Sequence, residues 1–175
     1  MKTTQPPPSR SSSSPELARY RPGVGIVLFN RASHVLIAER LDNPGSWQMP
    51  QGGIDEGEAP ETAVFREMEE EIGTRNAEIL GMLEDWLCYD FSPALSKKLW
   101  NGQYTGQRQK WIALRFTGSD AEIDPLTPRN NQPAEFDQWR WERLDRVADL
   151  VVPFRREVYR TVAQRFAAYA EGGSV

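Results

Sequence analysis

Residues 52–73 read GGIDEGEAPETAVFREMEEEIG. The stretch holds seven Glu, one Asp and the adjacent pair Arg66-Glu67. Pro60 suits a first helical turn and Gly73 a C-terminal stop, so a helix is predicted from Ala59 to about Ile72. At ~100° per residue, with Glu67 at 0°, Glu70 falls near −60° and Glu71 near +40°. Phe65, Met68 and Ile72 lie at roughly 100–160°, which sets an apolar face beside an acidic one, while Glu69 at ~200° points away.

Two carboxylates ~5.5 Å apart repel by roughly 3 kcal/mol at an effective dielectric of ~20. Three of them beside a core call for a cation. Oxygen ligands without His or Cys suit a hard ion such as Mg²⁺ or Mn²⁺, typically one that holds phosphates. Taken alone, the glutamates read equally well as a solvated helix face. The Gly52-Gly53 bend favours a ligand, because glycine lets the backbone approach one closely.

The remaining composition narrows the function classes. The chain has 175 residues and a formal net charge of −4, enough for one domain with its own core. That charge argues against sequence-blind gripping of long nucleic acid, DNA included, which needs many Lys and Arg. A short nucleotide end held by a local basic patch and metal ions remains compatible with it. Nothing approaches the ~18 apolar residues of a membrane span. One Cys (Cys88) and one His (His34) exclude an internal disulfide and a His/Cys zinc site within one chain. A reducing, cytoplasmic location is the simplest expectation. His34, between Arg31-Ala-Ser and Val35-Leu-Ile, reads as a turn or strand-edge residue rather than part of a Ser-His-Asp triad.

Residues 1–17 are Pro/Ser-rich without an apolar period and are expected to be a disordered tail, with an organelle transit peptide as the alternative. Residues 18–171 are expected to form the domain, and 172–175 a flexible end. Strands are expected at 23–29, 35–38, within 79–91, at 109–116 and at 136–142, with Trp139 and Trp141 sharing one face of the last. Residues 92–106 are expected to be a loop with a basic, aromatic tip (Lys97, Lys98, Trp100), and 120–134 a long connection. A closing helix is expected from Pro153 to about Ala170, with Phe154, Val158, Val162 and Phe166 as its buried stripe.

Gly52, Glu58, Arg66-Glu67, Met68, Glu70-Glu71 and Gly73 stand at the spacings of the Nudix hydrolase signature, and the chain resembles that family. The last position, usually aliphatic, is Thr74. The resemblance implies an α/β fold, an α/β/α sandwich with a mixed β-sheet, and divalent-metal hydrolysis of nucleoside diphosphates linked to another group. It implies Glu67, Glu70 and Glu71 as metal ligands with catalytic roles, a backbone carbonyl from Gln51, Arg66 as a brace and Glu58 as structural. It extends over about residues 20–168 through YRPGVGIVLFN, WQMPQGGI, GQRQKW, EFDQWRW and FRREVYR. These motifs are similar to the branch of bacterial RNA 5′-pyrophosphohydrolases and diadenosine tetraphosphate hydrolases. That branch implies a further metal carboxylate at Glu135, which otherwise reads as a strand-start residue. It also implies substrate contacts from Arg21, Arg40, Gln109, Lys110, Val152, Phe154, Arg155 and Tyr89. Phe154 and Tyr89 read equally as core.

The implied activity is removal of pyrophosphate from 5′-triphosphorylated RNA, with two or more Mg²⁺ or Mn²⁺ ions, promoting RNA decay. The alternatives are asymmetric hydrolysis of diadenosine tetraphosphate to ATP and AMP, or a catalytically silent nucleotide-binding module.

Overall fold

The buried run at 23–29 lies within strand β1 (Tyr20–Phe29) of a computed structural model. The structure describes residues 17–129 and 131–171, so the tails expected before Leu17 and after Glu171 lie outside the described residues. Val24, Ile26 and Leu28 enter one core, Val27 and Phe29 the other. A strand covered on both faces reads as a continuous apolar run, which is how this one stands out in the sequence.

The other strands are β2 (Val35–Arg40), β3 (Trp47–Gln48), β4 (Gln51–Gly53), β5 (Ala77–Met82), β6 (Leu87–Asp90), β7 (Gly106–Phe116) and β8 (Phe136–Glu142). They form a mixed sheet in the order β3-β2-β1-β7-β5, with β4 also beside β1, β6 beside β7 and β8 beside β2. β1 and β7 run parallel from Tyr20 opposite Gly106 to Phe29 opposite Arg115. On its other edge, β1 pairs with β4 at Gly23–Gly25 and with β2 at Phe29 opposite Val35. The sheet divides between these two pairings.

Helix α1 (Pro60–Ile72) covers one face, burying Ala63, Val64, Met68 and Ile72 against β1 and β7. It stops at Gly73, whose φ of 83° is left-handed and whose N–H reaches the Glu69 carbonyl, as a glycine C-cap does. Thr74 is buried, and its hydroxyl donates to Glu122 Oε2 at 3.0 Å. The opposite face is covered by α3 (Val147–Leu150), α4 (Arg156–Arg165) and α5 (Ala167–Ala170). Helix, sheet and helices make an α/β/α sandwich.

Three expectations are corrected. The single strand within 79–91 is two strands, β5 and β6, separated by a turn. The loop expected at 92–106 contains helix α2 (Pro93–Trp100). Ser92 caps it by accepting from the Leu95 N–H, and Asn101 closes it at φ 51°. Finally, the closing helix is not continuous: Pro153–Arg155 is a 3₁₀ turn, and Phe166 separates α4 from α5. Three residues per turn shift the helical phase, so Phe154 leaves the stripe and is 44% exposed, while Val158, Val162 and Phe166 are buried. His34 is exposed in the turn after Phe29, its N–H bonded to Asn30 Oδ1 at 3.0 Å.

Candidate active site

Gly52 presses against α1. A β-carbon there would stand 1.9 Å from the Glu67 carboxylate, so the absence of a side chain admits Glu67 beneath the bend. Glu67 is buried, and its Oε1 accepts from Arg66 Nη1 at 2.8 Å. The same Nη1 lies 3.4 Å from Glu70 Oε2. The rest of the guanidinium is taken by Glu58, through Nε at 2.9 Å and Nη2 at 2.7 Å, and by the Gly53 carbonyl at 2.9 Å. Arg66 thus ties the bend to the helix with fork geometry that lysine lacks. Arg66 holds the Glu58 carboxyl down at about 2.

Glu71, on the same face, is in the opposite condition. Its Oε2 is buried and has no hydrogen-bond partner. Burial first, then the charges of Glu135 and Glu67, push its carboxyl well above the usual range, against the opposing pull of the Gln51 backbone N–H and Arg155. Burial also raises Glu67, with Arg66 pulling the other way. Glu135 is exposed, and its carbonyl accepts from the Leu41 N–H at 2.9 Å, which anchors it at the end of β2. Among the described residues, no three carboxylate, imidazole or thiol side chains meet at one point; Glu67 and Glu70 turn to Arg66. The donor set nevertheless fits a hard divalent ion. It is all oxygen, and an enclosed carboxylate oxygen lacking any partner is costly unless a cation satisfies it.

Beyond Gln51 the surface changes from acidic to cationic and aromatic. Gln48 is buried, and its Oε1 accepts from both Arg155 Nη1 at 3.0 Å and Arg40 Nη1 at 3.3 Å. Arg40 is gripped in turn by Asp42 at 2.8 and 2.9 Å. The Arg155 guanidinium lies over the rings of Tyr89 (5.3 Å) and Phe154 (5.5 Å), which are themselves 5.7 Å apart. Tyr89 is buried, and its hydroxyl donates to Gln107 Oε1 at 2.8 Å. Burial pushes that hydroxyl's pKa up. Val152 precedes the turn, its carbonyl accepting from the Arg155 N–H. Gln109 Nε2 donates to Gln51 and Gln107, at 2.9 and 3.1 Å, leaving its own buried Oε1 without a partner. Arg21 reaches the bend from β1: a β-carbon on Gly53 would be 2.8 Å from its Nη2.

Lys110 does not join this group. It alternates with Gln109 along β7, so it shares the face of Ile112 rather than that of Trp111. Its ammonium is held by the carbonyls of Leu83 and Glu84. Gln48 and Gln107 were not among the expected site residues, and Trp100, expected at the tip of a loop, sits on helix α2. Period-two alternation from Gln109 could have found Gln107. Gln48 carried no local signal, because it acts through Arg155, distant in sequence. A separate cavity of about 630 Å³ lies elsewhere, lined by His34, Arg143, Asp145 and Arg160 among others, and contains none of the site residues.

An acidic helix behind a glycine bend, in an α/β/α sandwich, defines a metal-assisted hydrolase site of the Nudix kind. The NUDIX domain model matches residues 19–162, and the chain belongs to that family. Among its relatives, the RNA pyrophosphohydrolase of Rhodospirillum rubrum is 52% identical over 95% of this chain and 96% of that protein. The RNA pyrophosphohydrolase of Azorhizobium caulinodans is 51% identical over 86% and 94%. Nudix hydrolase 26, chloroplastic, of Arabidopsis thaliana is 45% identical over 93% and 76%. Among solved structures, the E. coli dihydroneopterin triphosphate pyrophosphohydrolase superposes with a TM-score of 0.61 at 18% identity, covering 83% of this chain and 98% of that one. At that identity the likeness concerns the fold.

Proposed function

We propose that this protein is a divalent-metal-dependent pyrophosphohydrolase that removes pyrophosphate from the 5′ end of triphosphorylated RNA and leaves a 5′-monophosphate. The names and near full-length identity of the bacterial relatives support the substrate. The observation that carries the chemistry is the Glu71 carboxylate, whose Oε2 is enclosed without a partner, whose charge is opposed by Glu135 and Glu67, and which lies within electrostatic reach of Arg155 and Arg40.

Mg²⁺ or Mn²⁺, two or more ions with substrate bound, would be held by Glu67, Glu70, Glu71 and Glu135 with the Gln51 carbonyl. Once bound, the metal neutralises phosphate oxygens and lowers the pKa of a water. The protein's own groups do the rest. Arg66 keeps Glu67 and Glu70 in register with the bend. A carboxylate of the motif accepts the proton of the attacking water. Arg40 and Arg155, converging on Gln48, complement the charge of the phosphate chain, and such fixed cations stabilise charge that grows in the transition state. Phe154, Tyr89, Val152 and Arg155 form an aromatic and cationic shelf for a base, with Arg21 at its edge.

Among the described residues, no helix is long and apolar enough to cross a membrane. We assign the enzyme to the cytoplasm, where its single cysteine, Cys88, meets a reducing environment.

The test compares 5′-triphosphorylated RNA with diadenosine tetraphosphate at equal concentration, using purified protein and Mg²⁺. RNA is expected to be the preferred substrate, with pyrophosphate released; preference for the dinucleotide would transfer the role to it. Glu70→Gln should abolish turnover while leaving the fold intact. Full activity in that variant would refute the metal assignment.

A further inference from the structure

Helix α2 sits at the mouth of this site and belongs to neither the carboxylate group nor the base shelf. Its position is set by aromatic packing. Trp100 stacks on Phe91 with ring centroids 5.2 Å apart and meets Tyr104 edge-on at 5.9 Å. The Arg21 guanidinium lies 5.2 Å from the Trp100 ring, and that same arginine abuts Gly53 of the metal-side bend. Ser96 faces inward, its hydroxyl bonded to the Tyr104 carbonyl. At ~100° per residue, Trp100 falls ~40° from Ser96, whereas Lys97 and Lys98 fall at ~100° and ~200°, turned outward.

Both lysines are exposed. Among the described residues neither forms an ion pair. Other cations near the site are engaged: Arg66 by Glu58, Glu67 and Glu70, and Arg40 by Asp42. Lys98 also lies within electrostatic reach of Asp42, whose carboxyl is held low chiefly by Arg40. Two exposed lysines on this packed helix, beside an otherwise acidic motif, form a surface for a second run of negative charge.

We propose that Lys97 and Lys98 of α2 bind the phosphodiesters of the RNA strand downstream of its first two nucleotides, making α2 the element that favours RNA over short nucleotides. The inference rests on the RNA reading above. It differs from the purely structural role of lysines in a last helical turn, which is to complement the helix dipole.

The experiment compares a 5′-triphosphorylated dinucleotide with a longer single-stranded RNA sharing its first two residues, using the full chain with Mg²⁺. In the double variant Lys97→Ala/Lys98→Ala, KM for the longer RNA should rise roughly tenfold. The slope of log affinity against log salt should become shallower by about 1.4, two phosphates at ~0.7 each. Kinetics on the dinucleotide should not change. Alanine favours helix, so α2 persists, and Lys97→Arg/Lys98→Arg should restore the long-RNA KM. Equal losses on both substrates, or no change on either, would overturn the inference while the RNA reading stands. Wild-type protein inactive on both RNAs would remove the two together.

Discussion

Glu58 and Glu71 belong to one motif, thirteen positions apart, and their environments have opposite character. Glu58 receives two hydrogen bonds from Arg66, and its carboxyl is held at about 2. Glu71 is half-buried with one oxygen enclosed and without a partner, and burial together with the charges of Glu135 and Glu67 pushes its carboxyl well up. A carboxylate whose charge is already neutralised is a brace. One whose charge remains uncompensated suits a cation, and under the proposed function Glu71 takes that role. Opposite shifts within one cluster are what separate such roles.

The comparison can be broken at either end. The largest effect is expected from Glu71→Gln, which keeps shape and removes charge. Turnover with Mg²⁺ should fall on the order of a thousandfold, measured by pyrophosphate release. In chelator, the same variant should melt several degrees above wild type at neutral pH, because an uncompensated buried charge is gone.

Glu58→Gln should act the other way on stability. It leaves Arg66 short of a partner, and should cost about 1–2 kcal/mol in denaturant unfolding. Activity should drop roughly tenfold through loss of positioning around Glu67. A thousandfold loss here, with a mild one at Glu71, would reverse the assignment.

The pH dependence of melting should separate the two groups further. Glu71 has a folded pKa raised above the unfolded value of 4.5. Its contribution is therefore fully present below pH 4.5 and lost as pH rises through the folded pKa. Glu58, lowered from 4.5 to about 2, contributes stability above pH 4.5 that is lost as pH falls through about 2. The advantage of Glu71→Gln in chelator should consequently grow with pH from acid toward neutrality. The deficit of Glu58→Gln should shrink toward pH 2. Saturating Mg²⁺ should abolish the first trend and leave the second.

The smallest effects concern two positions of the expected apolar stripe. Phe154→Ala should change stability by less than ~0.5 kcal/mol while weakening RNA binding through lost stacking, raising KM about fivefold or more. Val162→Ala, fully buried, should destabilise by about 1–3 kcal/mol with KM unchanged. Equal destabilisation by both would return Phe154 to the core.

Several parts of this molecule were legible in the residues alone. β1 announced itself because burial on both faces demands an unbroken apolar run. α1 did so because Pro60, Gly73 and the apolar phase of Phe65, Met68 and Ile72 agree over thirteen residues, although the structure buries Val64 in place of Phe65. The acidic face followed from the same periodicity. α2 was harder: eight residues are too few for a periodic signal, and helices that short are marginal in water without packing. Its Ser92-Pro93 start was written in the sequence, but its survival depends on Trp100 meeting Phe91 and Arg21. The stripe expected through Phe154 failed because one 3₁₀ turn rephases everything before it.

The sandwich was implied by the family resemblance. The chain by itself determined the local chemistry: an acidic helix behind a glycine bend, enough oxygen for a hard cation, and a buried apolar strand. These are properties of spacing, and spacing is contained in sequence. Tertiary structure alone decided which carboxylate lost its partner and which gained one. It also decided that Arg40 and Arg155 share Gln48, and that Lys110 faces away while Lys97 and Lys98 face out. Burial and pairing arise between segments far apart in the chain, where no local pattern records them.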